Sequence, residues 1–381
     1  MQWLAMQIAR VVLSRFRRFD SVQWNPAPGL NVLTGDNGAG KTSLLEALHL
    51  LSYGRSFRGR VRDGLIQFGQ PDLEVFAEWQ VPADGADPSR HRAGLRHAGQ
   101  QWTARLDGED VQQLGQLCAS LAVVTFEPGS HALISGAGEI RRRFLDWGLF
   151  HVEPGFTPYW RRYARALKQR NALLKQGASR ASLEAWDHEL VQAGEPLTEA
   201  RMYYLQRLQE RVVGLAAKIA PSLQVQGLVF QPGWRRHEMS LADALLLAQD
   251  RDRTQGFTSV GPHRADWSVA YAHLPGREAL SRGQAKLTAL SCLLAQAADF
   301  ANERGHWPVL CLDDLGSELD QTHQGRILDW LQDQPVQVLA TSTDVPPAFA
   351  SRQVNVFHVE HEGTVTPLGG GEGGPGHTGI I

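Results

Sequence analysis

The most specific chemistry in the chain lies in Gly35-Asp36-Asn37-Gly38-Ala39-Gly40-Lys41-Thr42-Ser43. The run fits G-x-x-x-x-G-K-[ST], the pattern of a phosphate-binding loop. Its glycines let successive backbone N–H groups turn inward on a triphosphate, where the helix that follows adds the positive end of its dipole. Lys41 then reaches the β- and γ-phosphates, and the Thr42 hydroxyl holds Mg²⁺. A second group closes the apolar run Val309-Leu310-Cys311-Leu312-Asp313-Asp314. Beside a phosphate loop, Asp313 supports the Mg²⁺ held by Thr42, and Asp314 orients or deprotonates the attacking water. A third, Leu280-Ser281-Arg282-Gly283-Gln284, opens a helix upstream of the paired acids, where a serine and a glycine form an anion site.

These groups need elements to hold them. Gly29–Thr34 reads as a strand leading into the loop, and Ser43–Leu51 has the apolar spacing of a helix packed on a sheet. Gln7–Phe16 alternates like an N-terminal strand and is expected to pair with the strand before the loop. Strand-like runs at Leu73–Val81, His91–His97 and Gln101–Leu106, with hairpin chemistry at Leu106-Asp107-Gly108-Glu109, predict a mostly antiparallel sheet beside the nucleotide site. Leu121–Phe126 is a further short buried strand.

From about Glu139 to Leu247 the pattern is helical, over Glu139–Phe150, Phe156–Gln176, Ser182–Leu215 and Ser240–Ala248. Sheet character returns at Gly256–Tyr271. A helix from Arg282 to Ala301 and a strand at Pro308–Leu312 come next, then a helix over Gln321–Leu331 and strands at Val336–Thr341 and Val354–Val359. The expected fold is α/β: an ABC-type ATPase head of a phosphate-loop sheet plus an antiparallel β subdomain, with an inserted helical lobe. The expected division is residues 1–138 and 249–368 for the ATPase domain, 139–248 for the lobe, and 369–381 for a disordered glycine-rich tail.

Hydrophobic residues at 43% and charged residues at 20% describe an ordinary globular protein. The net charge of −2 gives no overall attraction to nucleic acid, so any DNA contact must come from local patches. Cys118, Cys292 and Cys311 show no metal or redox spacing, and an odd number argues against a disulfide framework. With no leader pattern and no apolar run near a bilayer span, a reducing cytoplasm is the expected location, with no membrane partner.

The order of the three groups is that of ABC-type ATPases, and Ser317-Glu318-Leu319-Asp320 resembles the dimer-contact loop of that class. More narrowly, the chain resembles the RecF family of bacterial recombinational-repair ATPases. The resemblance is carried by the phosphate loop, Gly54-Arg55-Ser56-Phe57-Arg58, Arg141-Arg142-Arg143-Phe144-Leu145-Asp146-Trp147, Lys168-Gln169-Arg170-Asn171-Ala172-Leu173-Leu174, Gly261-Pro262-His263-Arg264-Ala265-Asp266, Ser281–Gln284, and Asp313-Asp314 with Ser317–Asp320. It implies ATP and Mg²⁺ as cofactors and an ATP-dependent head-to-tail homodimer. Each nucleotide would lie between one phosphate loop and the partner copy's Ser281 segment. It further implies binding of gapped DNA or single-strand/double-strand junctions, and action with RecO and RecR to load RecA in gap repair and SOS induction. The alternative is the ATPase subunit of another ABC-type assembly, in chromosome maintenance or transport.

Three positions depart from the wider class. Asp314 stands where a catalytic glutamate is usual, Ala340-Thr341-Ser342-Thr343-Asp344 lacks a switch histidine, and no glutamine lies near Phe126-Glu127-Pro128. These departures predict slow hydrolysis that times the dimer.

Among the softer sites, Arg55, Arg58, Arg60 and Arg62 are candidates for DNA phosphates, for the partner subunit or nucleotide, or for a solvated loop. Arg141, Arg142 and Arg143 open a helix against its dipole, which suits an anionic partner or salt bridges to the core. Arg161, Arg162, Arg165 and Lys168 could line a DNA path or a solvated face. His263 reads as a packing or hydrogen-bonding histidine and Cys311 as a small buried hydrophobe.

Overall fold

The structure, a computed structural model, describes residues 4–59, 64–83, 86–99, 101–274, 276–350 and 352–368. It divides into two compact units, Met1–Ser130 with Ala297–Ile381, and His131–Gln296. The divisions expected at 139 and 248 both fall within the second.

The first unit holds two six-stranded sheets. One takes the order Val365–Leu368, Asn355–Val359, Leu30–Thr34, Val338–Thr341, Val309–Leu312, Val123–Phe126. Its pairings are parallel apart from the antiparallel edge strand Val365–Leu368. Val338–Thr341, Val309–Leu312 and Val123–Phe126 are buried along their whole length. A parallel sheet covered on both faces demands such continuous apolar runs, and the loops that do chemistry then gather at the strands' carboxyl ends.

The other sheet is antiparallel, in the order Phe19–Trp24, Gln7–Phe16, Leu73–Ala83, Ala86–Ala98, Gln101–Leu106, Glu109–Asp110. The expected turn is present, with Asp107 at φ 53° and Gly108 at φ 94° joining the paired residues Leu106 and Glu109. The expected pairing of Gln7–Phe16 with the strand before the phosphate loop is incorrect. Gln7–Phe16 instead forms a hairpin with Phe19–Trp24, register Phe16 to Phe19, and pairs on its other side with Leu73–Ala83. The hairpin turns at Arg17-Arg18, with Arg17 in the left-handed region at φ 55°, so no glycine or asparagine marks it.

The second unit is helical over Gly138–Val152, Phe156–Lys175, Arg180–Ile219 and Leu241–Gln255. The sheet expected from Gly256 begins only at Asp266, because Gly256 ends the preceding helix in a left-handed cap and the chain then makes a 3-10 turn at Pro262–Arg264. Asp266–Tyr271 pairs antiparallel with Val225–Gln231, a strand absent from the sequence reading. The arginine cluster that opens Gly138–Val152 is satisfied within this unit. Buried Arg141 makes a two-pronged contact to Asp266 at 2.6 and 2.9 Å and also donates to the Gly136 carbonyl. Arg142 donates to the Ala265 carbonyl, and Arg143 pairs with Glu139. Arg162 pairs with Glu189. His263 bonds the Tyr163 hydroxyl at 2.7 Å and the Thr258 carbonyl at 2.9 Å, and burial pushes its pKa down to about 4. It is a hydrogen-bonding histidine held neutral.

Candidate nucleotide site

Leu30–Thr34 delivers the chain into the phosphate loop, and the helix Lys41–Tyr53 starts at the loop's lysine. Two glycines are obligatory here. Gly35 has φ 137°, and a Cβ on it would stand 2.4 Å from the Val359 carbonyl oxygen. Gly40 has φ 107°, and its Cβ would lie 2.2 Å from the ring of Phe19, a buried residue of the antiparallel sheet. The loop is therefore pressed between its own sheet and the Arg17-Arg18 hairpin.

Lys41 is buried and donates to the carbonyls of Gly35 at 2.5 Å and Asp36 at 2.9 Å. Burial lowers its pKa, while Asp314, Asp313, Asp36 and Asp344 pull it back up. The ammonium thus sits in its own loop's cradle, surrounded by acids.

The paired acids converge on this loop. The Thr42 hydroxyl donates to Asp313 Oδ1 at 2.8 Å, across 271 residues of chain. The Thr341 hydroxyl donates to the same oxygen at 2.7 Å and accepts the Asp314 N–H at 2.8 Å. Asp313 is 2% exposed, and burial raises its pKa against the two hydroxyl bonds that lower it. A buried carboxylate beside a threonine hydroxyl is an all-oxygen donor set that fits Mg²⁺, a hard cation that keeps waters and phosphate oxygens in its shell. Among the described residues no group of three or more His, Cys, Asp or Glu side chains is disposed to hold a metal unaided. Asp314 sits at φ 54° where the chain turns into the short helix Leu315–Glu318.

A cavity of about 720 Å³ joins these residues. Its walls include Lys41, Thr42, Asp313, Asp314, Thr341 and Glu127, together with Arg17, Arg18, Phe57 and Arg58. Sequence reasoning passed over several of these. Glu127 follows the strand Val123–Phe126, which pairs with Val309–Leu312, so it stands beside the paired acids where a glutamine was sought and not found. Burial pushes its carboxyl up to about 7, with Asp313 and Glu318 adding to the rise and the Gly129 N–H opposing it. Arg18 donates to the Gly38 and His361 carbonyls. The available signal was the doubled arginine at 17–18, followed within a few residues by an alternating strand.

Of the four arginines proposed for DNA, Arg58 lines the nucleotide cavity, Arg55 lies in the same loop, and Arg60 and Arg62 fall outside the described residues. Ser281, Arg282 and Gly283 are exposed in the second unit. Ser281 caps the helix Arg282–Arg304 reciprocally, its hydroxyl accepting the Gln284 N–H and the Gln284 side chain accepting the Ser281 N–H. In the loop after the paired acids, Asp320 caps the next helix through the His323 N–H at 3.0 Å. The glycine-rich segment 369–381 lies outside the described residues. No helix among the described residues is long and apolar enough to cross a membrane.

Residues 7–365 match the RecF/RecN/SMC N terminal domain family. Over 357 residues the chain is 66% identical to the DNA replication and repair protein RecF of Stenotrophomonas maltophilia (strain R551-3), covering 93% of this chain and 98% of that one. Over 358 residues it is 67% identical to the protein of the same name from Xanthomonas euvesicatoria pv. vesicatoria (strain 85-10), covering 93% and 97%. Among solved structures, the recombination mediator protein RecF-ATP of the RecFOR pathway superposes with a TM-score of 0.84 at 24% identity, over 96% of this chain and 99% of that one. The Smc head domain with an extended coiled coil from Pyrococcus furiosus superposes at 0.58 and 15%, over 95% and 96%. At these identities the structural likenesses speak for the fold.

Proposed function

Because the chain belongs to the RecF family, we propose that it is an ATP- and Mg²⁺-dependent DNA-repair protein of the cytoplasm that dimerises on ATP and hydrolyses it slowly. It binds gapped duplex or single-strand/double-strand junctions and acts with RecO and RecR to load RecA, in gap repair and SOS induction. The observation that carries this reading is the bond from Thr42 to buried Asp313 at the floor of the phosphate-loop cavity. It supports a metal-assisted triphosphate site rather than a simple anion-binding turn.

In this reading the loop residues Gly35–Ser43 bind the triphosphate, with Lys41 releasing its two loop carbonyls to meet the β- and γ-phosphates. Thr42 and Asp313 hold Mg²⁺, which supplies charge neutralisation at the transferring phosphoryl group. Asp314 orients the attacking water. Ser281, Arg282, Gly283 and Gln284 of a second copy close the site from the far side of the nucleotide. Ser281, Arg282 and Gly283 are exposed at the helix start, which suits such a contact, and DNA phosphates fall to Arg55, Arg60 and Arg62. Hydrolysis that DNA accelerates then ends the dimeric state.

Light scattering after size exclusion tests the reading, with and without ATP and Mg²⁺ and with a gapped duplex added. The parent is expected to dimerise on ATP and retain the duplex, Asp314→Asn to hold the dimer longer, and Ser281→Arg to bind ATP as a monomer. A nucleotide-bound monomer indifferent to DNA would refute it.

A further inference from the structure

Glu46 is fully buried, yet it belongs to none of the roles above. It sits on the helix Lys41–Tyr53, about one turn beyond Thr42. A carboxylate is kept out of water only where partners compensate it, and its partners here are specific. Arg17 approaches two-pronged, Nε to one oxygen at 3.0 Å and Nη2 to the other at 2.6 Å. The Ser56 hydroxyl donates to Glu46 Oε1, and that same hydroxyl accepts the Arg58 N–H at 2.9 Å. Arg58 Nη1 lies 3.8 Å from Glu46 Oε2. Arg17 in turn donates through Nη1 to the Gly64 carbonyl and through its backbone N–H to that of Leu65.

We propose that Glu46 is a positioning residue for the nucleotide site, holding Arg58 against the triphosphate cavity through Ser56 and Arg17. The inference rests on the nucleotide-site reading. Arg17 and Arg58 both line the cavity, and Glu46 does not. One negative charge shared between two guanidiniums fixes both in place while leaving a net positive face toward the cavity. Arg58 lines the same cavity as Thr42 and Asp313, which places its charge on the side proposed for the metal and the γ-phosphate. Arginine suits that task, since its planar fork meets two phosphate oxygens at once. The carboxylate is carried by the helix that begins at Lys41, so one helix bears both the phosphate-loop lysine and the anchor of Arg58. The loop proposed to meet DNA is thereby tied to the residues that meet ATP.

A double-mutant cycle between Glu46→Gln and Arg58→Ala tests this, read by fluorescent ATP and ADP analogues with Mg²⁺ and by melting temperature. Glu46→Gln retains the shape and a hydrogen bond to Ser56 but removes the charge. It is expected to weaken ATP about tenfold and ADP by no more than about threefold, the scale of one charge-assisted contact to a phosphate. Arg58→Ala should do the same, and the double variant should be no more than about twofold worse than Arg58→Ala alone, since residues acting through one contact are not additive. Multiplied losses in the double variant, or equal losses for ATP and ADP, would overturn the proposal. Should Glu46→Gln not fold, Ser56→Ala takes its place in the cycle, because it frees the loop while leaving the buried charge paired with Arg17. A parent that binds neither nucleotide would overturn the underlying reading and this inference with it.

Discussion

Replacing Thr341 by valine removes one hydroxyl at nearly constant volume from a residue 1% exposed at the end of a buried strand. That hydroxyl donates to Asp313 Oδ1 and accepts the Asp314 N–H. A hydrogen bond to a charged acceptor contributes about 1.5–3 kcal/mol, and the loss falls on the ionised form of Asp313 alone. Losing that bond disfavours the ionised form, so the Asp313 carboxyl, already raised by burial, is pushed up further. The proton then competes with Mg²⁺ for that oxygen. Mg²⁺ titrations of ATP-analogue binding should therefore show the half-saturating Mg²⁺ concentration increase about tenfold at pH 7, and by more at pH 6. The orphaned Asp314 N–H adds about 1–3 kcal/mol of destabilisation, read by denaturant unfolding. A Thr341→Val protein whose Mg²⁺ half-point stays within about twofold of the parent at both pH values would refute the assignment of Asp313 as the metal-side carboxylate.

Gly40→Ala places a methyl 2.2 Å from the Phe19 ring at φ 107°, so strain and overpacking together cost about 2–5 kcal/mol. Denaturant unfolding should show that loss, and a variant as stable as the parent would mean that the loop is not pressed on the hairpin. Glu127→Gln reports on pH dependence. The folded carboxyl is raised from 4.5 to about 7, so its contribution to stability is present below pH 4.5 and lost as pH rises through 7. The parent should lose stability relative to Glu127→Gln between pH 5 and pH 8, by about 1–2 kcal/mol once solvent screening is allowed for, and parallel pH–stability curves would contradict the burial of that carboxyl. Lys41→Arg should retain much of the nucleotide binding and lose turnover, because a planar fork cannot replace a point charge in the tight loop. Phosphate-release assays giving near-parental rates would remove Lys41 from its role.

What could be read from the sequence was what the chain encodes over short spans. The phosphate loop is contiguous, and its glycines at 35 and 40 meet the conformations they were expected to serve. Asp107-Gly108 supplies the left-handed pair its hairpin requires, and Ser281 and Gln284 stand at capping-box spacing. What could not be read depends on partners far away in the chain. Arg17 adopts a backbone conformation foreign to most arginines while buried Glu46 grips its side chain, and the hairpin carries no turn residues. Val225–Gln231 gains strand character only from its partner at Asp266–Tyr271. Thr341 is one more buried residue of a parallel strand until Asp313 is beside it. Glu127 was weighed against an expected glutamine rather than for its own burial.

The neighbours of Leu30–Thr34 have a consequence for the protein's birth on the ribosome. The strand that leads into the phosphate loop is made about three hundred residues before its sheet partners Val338–Thr341 and Asn355–Val359. At typical synthesis rates of 5–20 residues per second, the loop waits roughly 20 s to a minute for the strands that flank it. Until then its apolar strand has no sheet to join, and contacts of such long separation close slowly. Chains made only part-way to Asn355–Val359 hold the whole phosphate-loop sequence without the strands that flank it, so nucleotide binding is expected to wait for those strands.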